Sequence, residues 1–221
     1  MSGSGDCFTF GPRRRAAALV GWITVLVDLA FFPGPVARTP SGHLTRLAIL
    51  AVALLLIAGL GGWRREALGL GRRIRPSARY WLLILAALAG AGALLLGGAI
   101  LHARMTGRVF AMPGLFNRRE DFWYWSLLSV VSYPLIEEGI YRLVLCSTSV
   151  GLLGRWPTIL LSGALFALLH VRYGVIAPNN MAAGFLLAWA FLRSEQFAVP
   201  LGFHAAGNLA LGLVRLWLLP G

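Results

Sequence analysis

The chain has 221 residues, of which 58% are hydrophobic and 13% are charged, and its formal net charge is +12. Soluble domains carry about 25% charged residues, so this composition excludes an ordinary soluble domain and indicates an integral membrane protein. The basic residues are all arginines, and they lie mainly between apolar segments, as topology signals of membrane proteins do. We therefore attribute the positive charge to attraction to anionic lipid and expect no nucleic-acid partner.

In chain order, seven apolar segments can be recognised: 16–32, 44–62, 79–101, 122–146, 157–170, 179–192 and 199–219. They predict an all-α fold, a polytopic transmembrane helix bundle of about seven spans. The fifth and sixth segments are only about 14 residues long, which at about 1.5 Å per residue is shorter than the hydrocarbon core of a bilayer. Short or broken helices are tolerated at membrane depth where they line a protein cavity. We therefore expect an intramembrane cavity around them.

The loops divide the chain into two predicted regions. Residues 1–121 form an N-terminal three-span region with basic loops at 63–78 and 102–121, and residues 122–221 form a four-helix core. In a seven-span topology, eleven arginines fall on the side of the N-terminus and seven on the other, with Arg46 counted in the second group. The positive-inside rule thus favours a cytoplasmic N-terminus. The arginine-only composition suggests a multi-pass protein of a prokaryotic cell membrane.

The fourth segment carries three charged residues, Glu137, Glu138 and Arg142. A charge at membrane depth costs about 2.5–3.5 kcal/mol on insertion scales, so this cluster indicates a functional site. Helical residues four apart share a face, so Glu138 and Arg142 are expected to form an ion pair, while Glu137 projects about 100° away. Glu137 is then available as a general base in a cavity. Spacing alone leaves the opposite assignment of the two glutamates open.

Two later segments each carry a histidine. Phe166 and His170 share one helical face, so Phe166 can form the wall on which His170 is presented. His204 and Asn208 share a face in the last segment, where an imidazole and an amide side by side suit hydrogen bonding to a developing oxyanion. Each histidine alone could equally be a structural hydrogen-bonding group between helices.

Together these residues resemble the CPBP family of intramembrane proteases, which includes the type II CAAX prenyl endopeptidases and bacterial proteins linked to bacteriocin processing. The resemblance rests on three complete motifs in order, Glu137-Glu138-x-x-x-Arg142, Phe166-x-x-x-His170 and His204-x-x-x-Asn208. It covers residues 122–219. The first three segments carry no matching motif.

The resemblance implies a glutamate-dependent peptidase in which Glu137 and His170 activate a water molecule. It assigns His204 and Asn208 to stabilising the oxyanion, with Glu138, Arg142 and Phe166 supporting the site. No cofactor is expected from this mechanism. Glu137, His170 and His204 would also make an acceptable zinc ligand set, which leaves a metallopeptidase as an alternative.

We therefore expect an intramembrane endopeptidase that cleaves a membrane-anchored protein or peptide near the membrane surface and close to its C-terminus. A CAAX-like tail and a protein-sorting tail are both compatible with this expectation. A non-catalytic membrane scaffold or bacteriocin-immunity protein with the same fold is an alternative, as is a small transporter built on the buried Glu and His residues. The absence of visible inverted repeats weakens the transporter hypothesis.

Overall fold

The computed structural model describes residues 8, 10–37, 39–71, 73–107, 116–174 and 178–219. The part of the chain it describes is helical and contains no strand, as predicted. In chain order the α-helices are α1 (Arg14–Phe31), α2 (Gly34–Ala37), α3 (Pro40–Leu60), α4 (Ala78–Met105), α5 (Asp121–Ser126), α6 (Tyr133–Glu138), α7 (Ser147–Leu153), α8 (Arg155–Arg172), α9 (Pro178–Ser194) and α10 (Ala198–Leu218).

Two π-helical stretches, Leu127–Ser132 and Gly139–Cys146, join α5, α6 and α7 into one continuous helical run. We call this run the composite helix (residues 121–153). It is longer than the predicted segment 122–146. The π-helical turns interrupt the regular α-helical register on both sides of α6, the short helix that carries both glutamates, and such turns are frequent at functional sites.

Three of the described helices, α3, α4 and α10, are long and apolar enough to cross a membrane. This supports a membrane protein, and the count of seven spans stays a prediction. The helices α8 and α9 contain 18 and 17 residues, so the predicted lengths of about 14 residues were too short. Residues outside the apolar segments extend both helices: α8 begins at Arg155–Trp156, before the predicted segment, and α9 ends at Arg193–Ser194, after it.

The helical passes run alternately between two ends of the bundle. At one end, α1, α4, α8 and α10 begin and α3, the composite helix and α9 finish. Contacts there join Phe8 to Phe191, with 5.4 Å between the ring centroids, and the Arg75 amide to the Ser194 carbonyl, at 3.2 Å. At the other end, an Arg119 nitrogen donates to the carbonyl oxygen of Leu219, at 2.8 Å.

The best-packed part of the molecule lies where the composite helix meets α1, α3 and α8. Its fully buried side chains include Ile140, Val144 and Leu169. Glycines permit the close approach of helices there: a Cβ atom on Gly139 would lie 2.5 Å from a methyl carbon of Leu50, and one on Gly184 would lie 2.9 Å from the Gly163 carbonyl oxygen. The composite helix is therefore closely packed against α3 at Gly139, and α8 is closely packed against α9 at Gly163 and Gly184.

Helix α4 lies at the edge of this core. Its buried Trp81 packs edge-on against Trp189 and Phe203, with ring centroids 5.3 and 5.9 Å apart. Further along α4, most side chains are exposed, as expected for a helix that faces lipid.

Candidate active site

The burial of the composite helix changes at the glutamate pair. Residues 136–149 are all buried, whereas residues 123–135, except Pro134, are half-buried or exposed. Glu137 therefore lies at the boundary between the packed core and the part of the helix that stands clear of it. A carboxylate at such a boundary is shielded from bulk solvent and still accessible from one side.

Glu138 is the more deeply held of the two glutamates, with 0% of its side chain exposed. One carboxylate oxygen, Oε2, lies 3.0 Å from Nε of Arg142 in the predicted ion pair, and the other, Oε1, lies 2.9 Å from Nδ1 of His204. The sequence spacing predicted the first contact. The second joins residues 66 positions apart and was not predicted.

Arg142 is also fully buried, and the surrounding helices stabilise its charge. One terminal nitrogen donates to the carbonyl oxygen of Gly184 at 3.1 Å, and the guanidinium carbon lies 4.6 Å from the centre of the Phe166 ring. A cation over an aromatic face contributes roughly 0.5–2 kcal/mol, more when it is desolvated. Arg142 thus ties the composite helix to both α8 and α9.

Glu137 has much weaker contacts. Within the described part of the chain, its one ion-pairing contact is Nε2 of His204 at 3.9 Å, and 5% of the residue surface is exposed. His204 therefore lies between the two carboxylates. Because Nδ1 faces the Arg142-paired Glu138, that carboxylate favours a hydrogen on Nδ1 and fixes the orientation of the ring. The second ring nitrogen is directed toward Glu137.

His170 lies near the end of α8 and is half-buried. Its ring packs against Phe166 with the centroids 4.6 Å apart, and Nδ1 lies 3.0 Å from the carbonyl oxygen of Phe166. The same phenyl ring lies 5.9 Å from the ring of His204, so Phe166 separates the two histidines. The predicted presentation of His170 by Phe166 is thus present, but His204, rather than His170, makes the contact with Glu137.

Asn208 shares a face of α10 with His204, as the spacing predicted. Its amide nitrogen donates to the backbone carbonyl of Ser129 in the first π-helical stretch, at 2.6 Å. That contact uses one of two amide hydrogens, so one N–H of Asn208 remains available to another acceptor. The bond also links α10 to the composite helix about two turns before Glu137.

The zinc ligand set considered from the sequence, Glu137, His170 and His204, can be tested against this geometry. Among the described residues, no group of three His, Cys, Asp or Glu side chains is arranged to hold one metal ion. His204 is hydrogen-bonded to Glu138 and lies 3.9 Å from Glu137. The choice between a glutamic peptidase and a metallopeptidase stays a prediction.

A buried ion pair from the N-terminal region was missed by the sequence analysis. Arg46 of α3 donates from Nε and Nη2 to the two carboxylate oxygens of Asp28 on α1, at 2.7 and 3.1 Å, and both residues are essentially inaccessible to solvent. Asp28 also lies 3.5 Å from the hydroxyl of Tyr141, one turn beyond Glu137. Glu137 interacts electrostatically with both members of this pair.

The burial of Arg46 corrects the arginine count of the sequence analysis, which placed Arg46 in a loop. The sequence does contain a sign of this ion pair: Asp28 lies three residues before the end of α1, and Arg46, of opposite charge, lies six residues after the start of α3. A charge inside an apolar segment usually has a buried partner. The N-terminal region therefore forms part of the wall behind Glu137 although it carries no catalytic motif.

A helical bundle with membrane-length helices and a buried network of two glutamates, an arginine and a histidine defines the class of protein: a helical membrane protein with a buried polar site. A family model described as Type II CAAX prenyl endopeptidase Rce1-like matches residues 119–210. All three motifs lie within this range. The match agrees with the resemblance inferred from the motifs, and the family that it describes is a family of proteases. No curated protein and no solved structure gives a significant match to the chain.

Proposed function

We propose that the protein is an intramembrane endopeptidase of the glutamic type that hydrolyses a peptide bond of a membrane-anchored substrate near the membrane surface and close to the substrate C-terminus. The observation that carries this proposal is the unequal environment of the two adjacent glutamates. Glu138 has two short charged or polar contacts, whereas Glu137 has one contact at 3.9 Å and lies at the edge of the packed core. An under-coordinated carboxylate beside a fixed network suits a general base.

In the proposed reaction, Glu137, assisted by His170, removes a proton from water, and the hydroxide oxygen bonds to the scissile carbonyl carbon. The carbonyl oxygen becomes an oxyanion, stabilised by the free N–H of Asn208 and by His204, which in its imidazolium form carries hydrogens on both Nδ1 and Nε2. When the C–N bond breaks, the leaving amine takes the proton that Glu137 had accepted. The reaction thus consumes one water molecule and yields a carboxylic acid and an amine, which become carboxylate and ammonium when the acid proton passes to the amine.

The remaining polar residues keep this arrangement in place. Glu138 holds His204 through Nδ1, as the buried carboxylate of a catalytic triad holds its histidine. Arg142 neutralises Glu138, so the carboxylate retains its charge inside the core. Phe166 separates the histidines and packs beneath the guanidinium of Arg142. Asn208 must keep its bond to Ser129 while it donates its second hydrogen, which restricts where the oxyanion can form.

The test is cleavage of membrane-anchored peptides, labelled at the C-terminus, by the purified protein in detergent. We expect wild type to cleave and Glu137→Gln to lose at least about 100-fold in rate, the typical contribution of a positioned general base. Glu66→Gln is the matched control, because Glu66 is exposed in a loop at the end of the bundle where α1 begins. Equal rates for Glu137→Gln and wild type would refute the assignment.

The same assay distinguishes a glutamic peptidase from the zinc-dependent alternative. We expect chelator to leave the rate unchanged. Loss of activity in chelator with recovery on adding zinc would establish a metallopeptidase instead. Failure of wild type to cleave any peptide in the set would favour the non-catalytic scaffold.

A further inference from the structure

The arginines are distributed unequally between the two ends of the bundle. We define the arginine-rich end as the end where α1, α4, α8 and α10 begin, and the arginine-poor end as the opposite one. Within the described residues, the arginine-rich end carries ten arginines and two acidic residues: Arg13, Arg14, Arg15, Arg64, Arg65, Arg73, Arg75, Arg79, Arg155 and Arg193, with Glu66 and Glu195. The arginine-poor end carries five arginines and two acidic residues: Arg104, Arg118, Arg119, Arg172 and Arg215, with Glu120 and Asp121.

Burying Arg46 strengthens this asymmetry. The sequence analysis had assigned Arg46 to the loops of the arginine-poor side, but its charge is neutralised inside the bundle by Asp28. It therefore makes no contribution as a loop charge. Cytoplasmic loops of membrane proteins carry an excess of Lys and Arg, which assigns the arginine-rich end to the cytoplasm.

The packing around the candidate active site is looser toward the opposite end. Toward the arginine-rich end, the composite helix is buried at every position from Ile136 to Ser149, so packed side chains close that direction. Toward the arginine-poor end, the same helix is half-buried or exposed almost throughout. The change occurs at Glu137.

The lengths of the neighbouring helices lead to the same conclusion. His170 lies two residues before the end of α8, and α1 also ends close to the level of the site, because Asp28 is three residues from the last residue of α1. The composite helix and α10 continue further: Glu137 is 16 residues from the start of the composite helix and Asn208 is ten residues from the end of α10. Two of the neighbouring helices, α1 and α8, thus end near the depth of the site on its arginine-poor side.

We propose that the active site opens on the face of the membrane away from the cytoplasm, so that its substrate is a membrane-anchored peptide whose scissile bond lies on the extracytoplasmic side. The existence of a peptide substrate rests on the proposed peptidase function, whereas the orientation of the site rests on charge and packing alone. The inference selects between the two substrate classes that the sequence left open, a CAAX-like tail and a protein-sorting tail. A CAAX-like tail is modified in the cytoplasm, whereas a sorting tail of an exported protein presents its bond on the outer side.

The orientation is tested by cysteine labelling of intact cells with a membrane-impermeant maleimide, in a Cys7→Ser, Cys146→Ala background. The matched probes are Glu120→Cys at the arginine-poor end and Glu66→Cys at the arginine-rich end, both at exposed positions. We expect Glu120→Cys to be labelled in intact cells and Glu66→Cys to be labelled only after permeabilisation. The reverse pattern would overturn the proposal. Neither outcome depends on catalysis.

Access to the site is tested with sealed membrane vesicles of known orientation and an anchored peptide whose cleavable segment carries a bulky hydrophilic tag. We expect cleavage when the tagged peptide is added to right-side-out vesicles. We expect no cleavage when it is added to inverted vesicles, because the hydrophilic tag keeps the cleavable segment on the side where the peptide was added. Cleavage confined to inverted vesicles would overturn the inference even if the labelling were as expected. If the detergent-solubilised wild type cleaves no peptide, the peptidase function and its substrate class fail together, while the labelling still decides the orientation.

Discussion

Arg142→Met should destabilise the protein strongly, because it leaves Glu138 buried without its cationic partner. Removing one member of a buried ion pair costs about 3–5 kcal/mol in soluble proteins. Here Glu138 retains the hydrogen bond from Nδ1 of His204, which lowers the cost, while the contacts of Arg142 with the Gly184 carbonyl and the Phe166 ring are lost, which raises it. We therefore expect a loss of about 3 kcal/mol in the free energy of unfolding.

Glu137→Gln should have a much smaller effect on stability. The change removes one contact at 3.9 Å and keeps the shape of the side chain, so we expect a loss below about 1 kcal/mol. This variant therefore separates stability from activity, since it should fold normally and fail to cleave. Glu138→Gln should resemble Arg142→Met, because it leaves the guanidinium of Arg142 buried without its carboxylate.

The assay is denaturation with sodium dodecyl sulfate in mixed micelles, followed by the fluorescence of the tryptophans. Arg172→Met is the control for the loss of an arginine: Arg172 is exposed and makes one contact with the Ala30 carbonyl at 3.4 Å, so its loss should change stability by less than about 0.5 kcal/mol. If Glu137→Gln were as destabilising as Arg142→Met, the roles of the two glutamates would be reversed. A change below about 1 kcal/mol for Arg142→Met would show that the ion pair is not desolvated as described.

Two further predictions concern packing and the N-terminal ion pair, and the same denaturation assay measures both. Gly184→Ala should lower the free energy of unfolding by about 1–3 kcal/mol, because the added Cβ would lie 2.9 Å from the Gly163 carbonyl oxygen. Gly202→Ala is the control and should be tolerated, because no described atom lies within 4 Å of its added Cβ. Equal effects of the two substitutions would refute the close crossing of α8 and α9. Asp28→Asn and Arg46→Met should each cost about 3 kcal/mol, and the double variant should recover part of that loss because no uncompensated charge remains. Additive losses in the double variant would show that the two side chains are not coupled.

Local spacing was enough to predict the contacts made within one helix. The Glu138–Arg142 pair and the packing of Phe166 on His170 both follow from the rule that residues four apart share a face. The same rule indicated that Glu137 points elsewhere. These predictions needed no knowledge of how the helices pack, and the class of fold needed only the lengths and composition of the apolar segments.

Contacts between helices could not be predicted in this way. The Nδ1 contact of His204 with Glu138 and the pairing of Asp28 with Arg46 depend on which helix faces which and at what depth. The sequence analysis paired His170 with Glu137 through the family resemblance alone, and the structure brings His204 closer. The lengths of α8 and α9 were underestimated because polar residues at helix ends were assigned to loops.

The adjacent glutamates explain why the site requires helices from both halves of the chain. A helix that carries two carboxylates at membrane depth is stable only if at least one is neutralised, and Arg142 does this within the same helix. Glu137 also interacts electrostatically with Arg46 and with Asp28 of the N-terminal helices, but these two opposite charges form a short ion pair with each other. The N-terminal helices therefore pack beside the carboxylate of Glu137 without neutralising it. An unpaired cation at that position would neutralise Glu137 and weaken it as a base, so the pairing of Arg46 with Asp28 is consistent with the proposed chemistry.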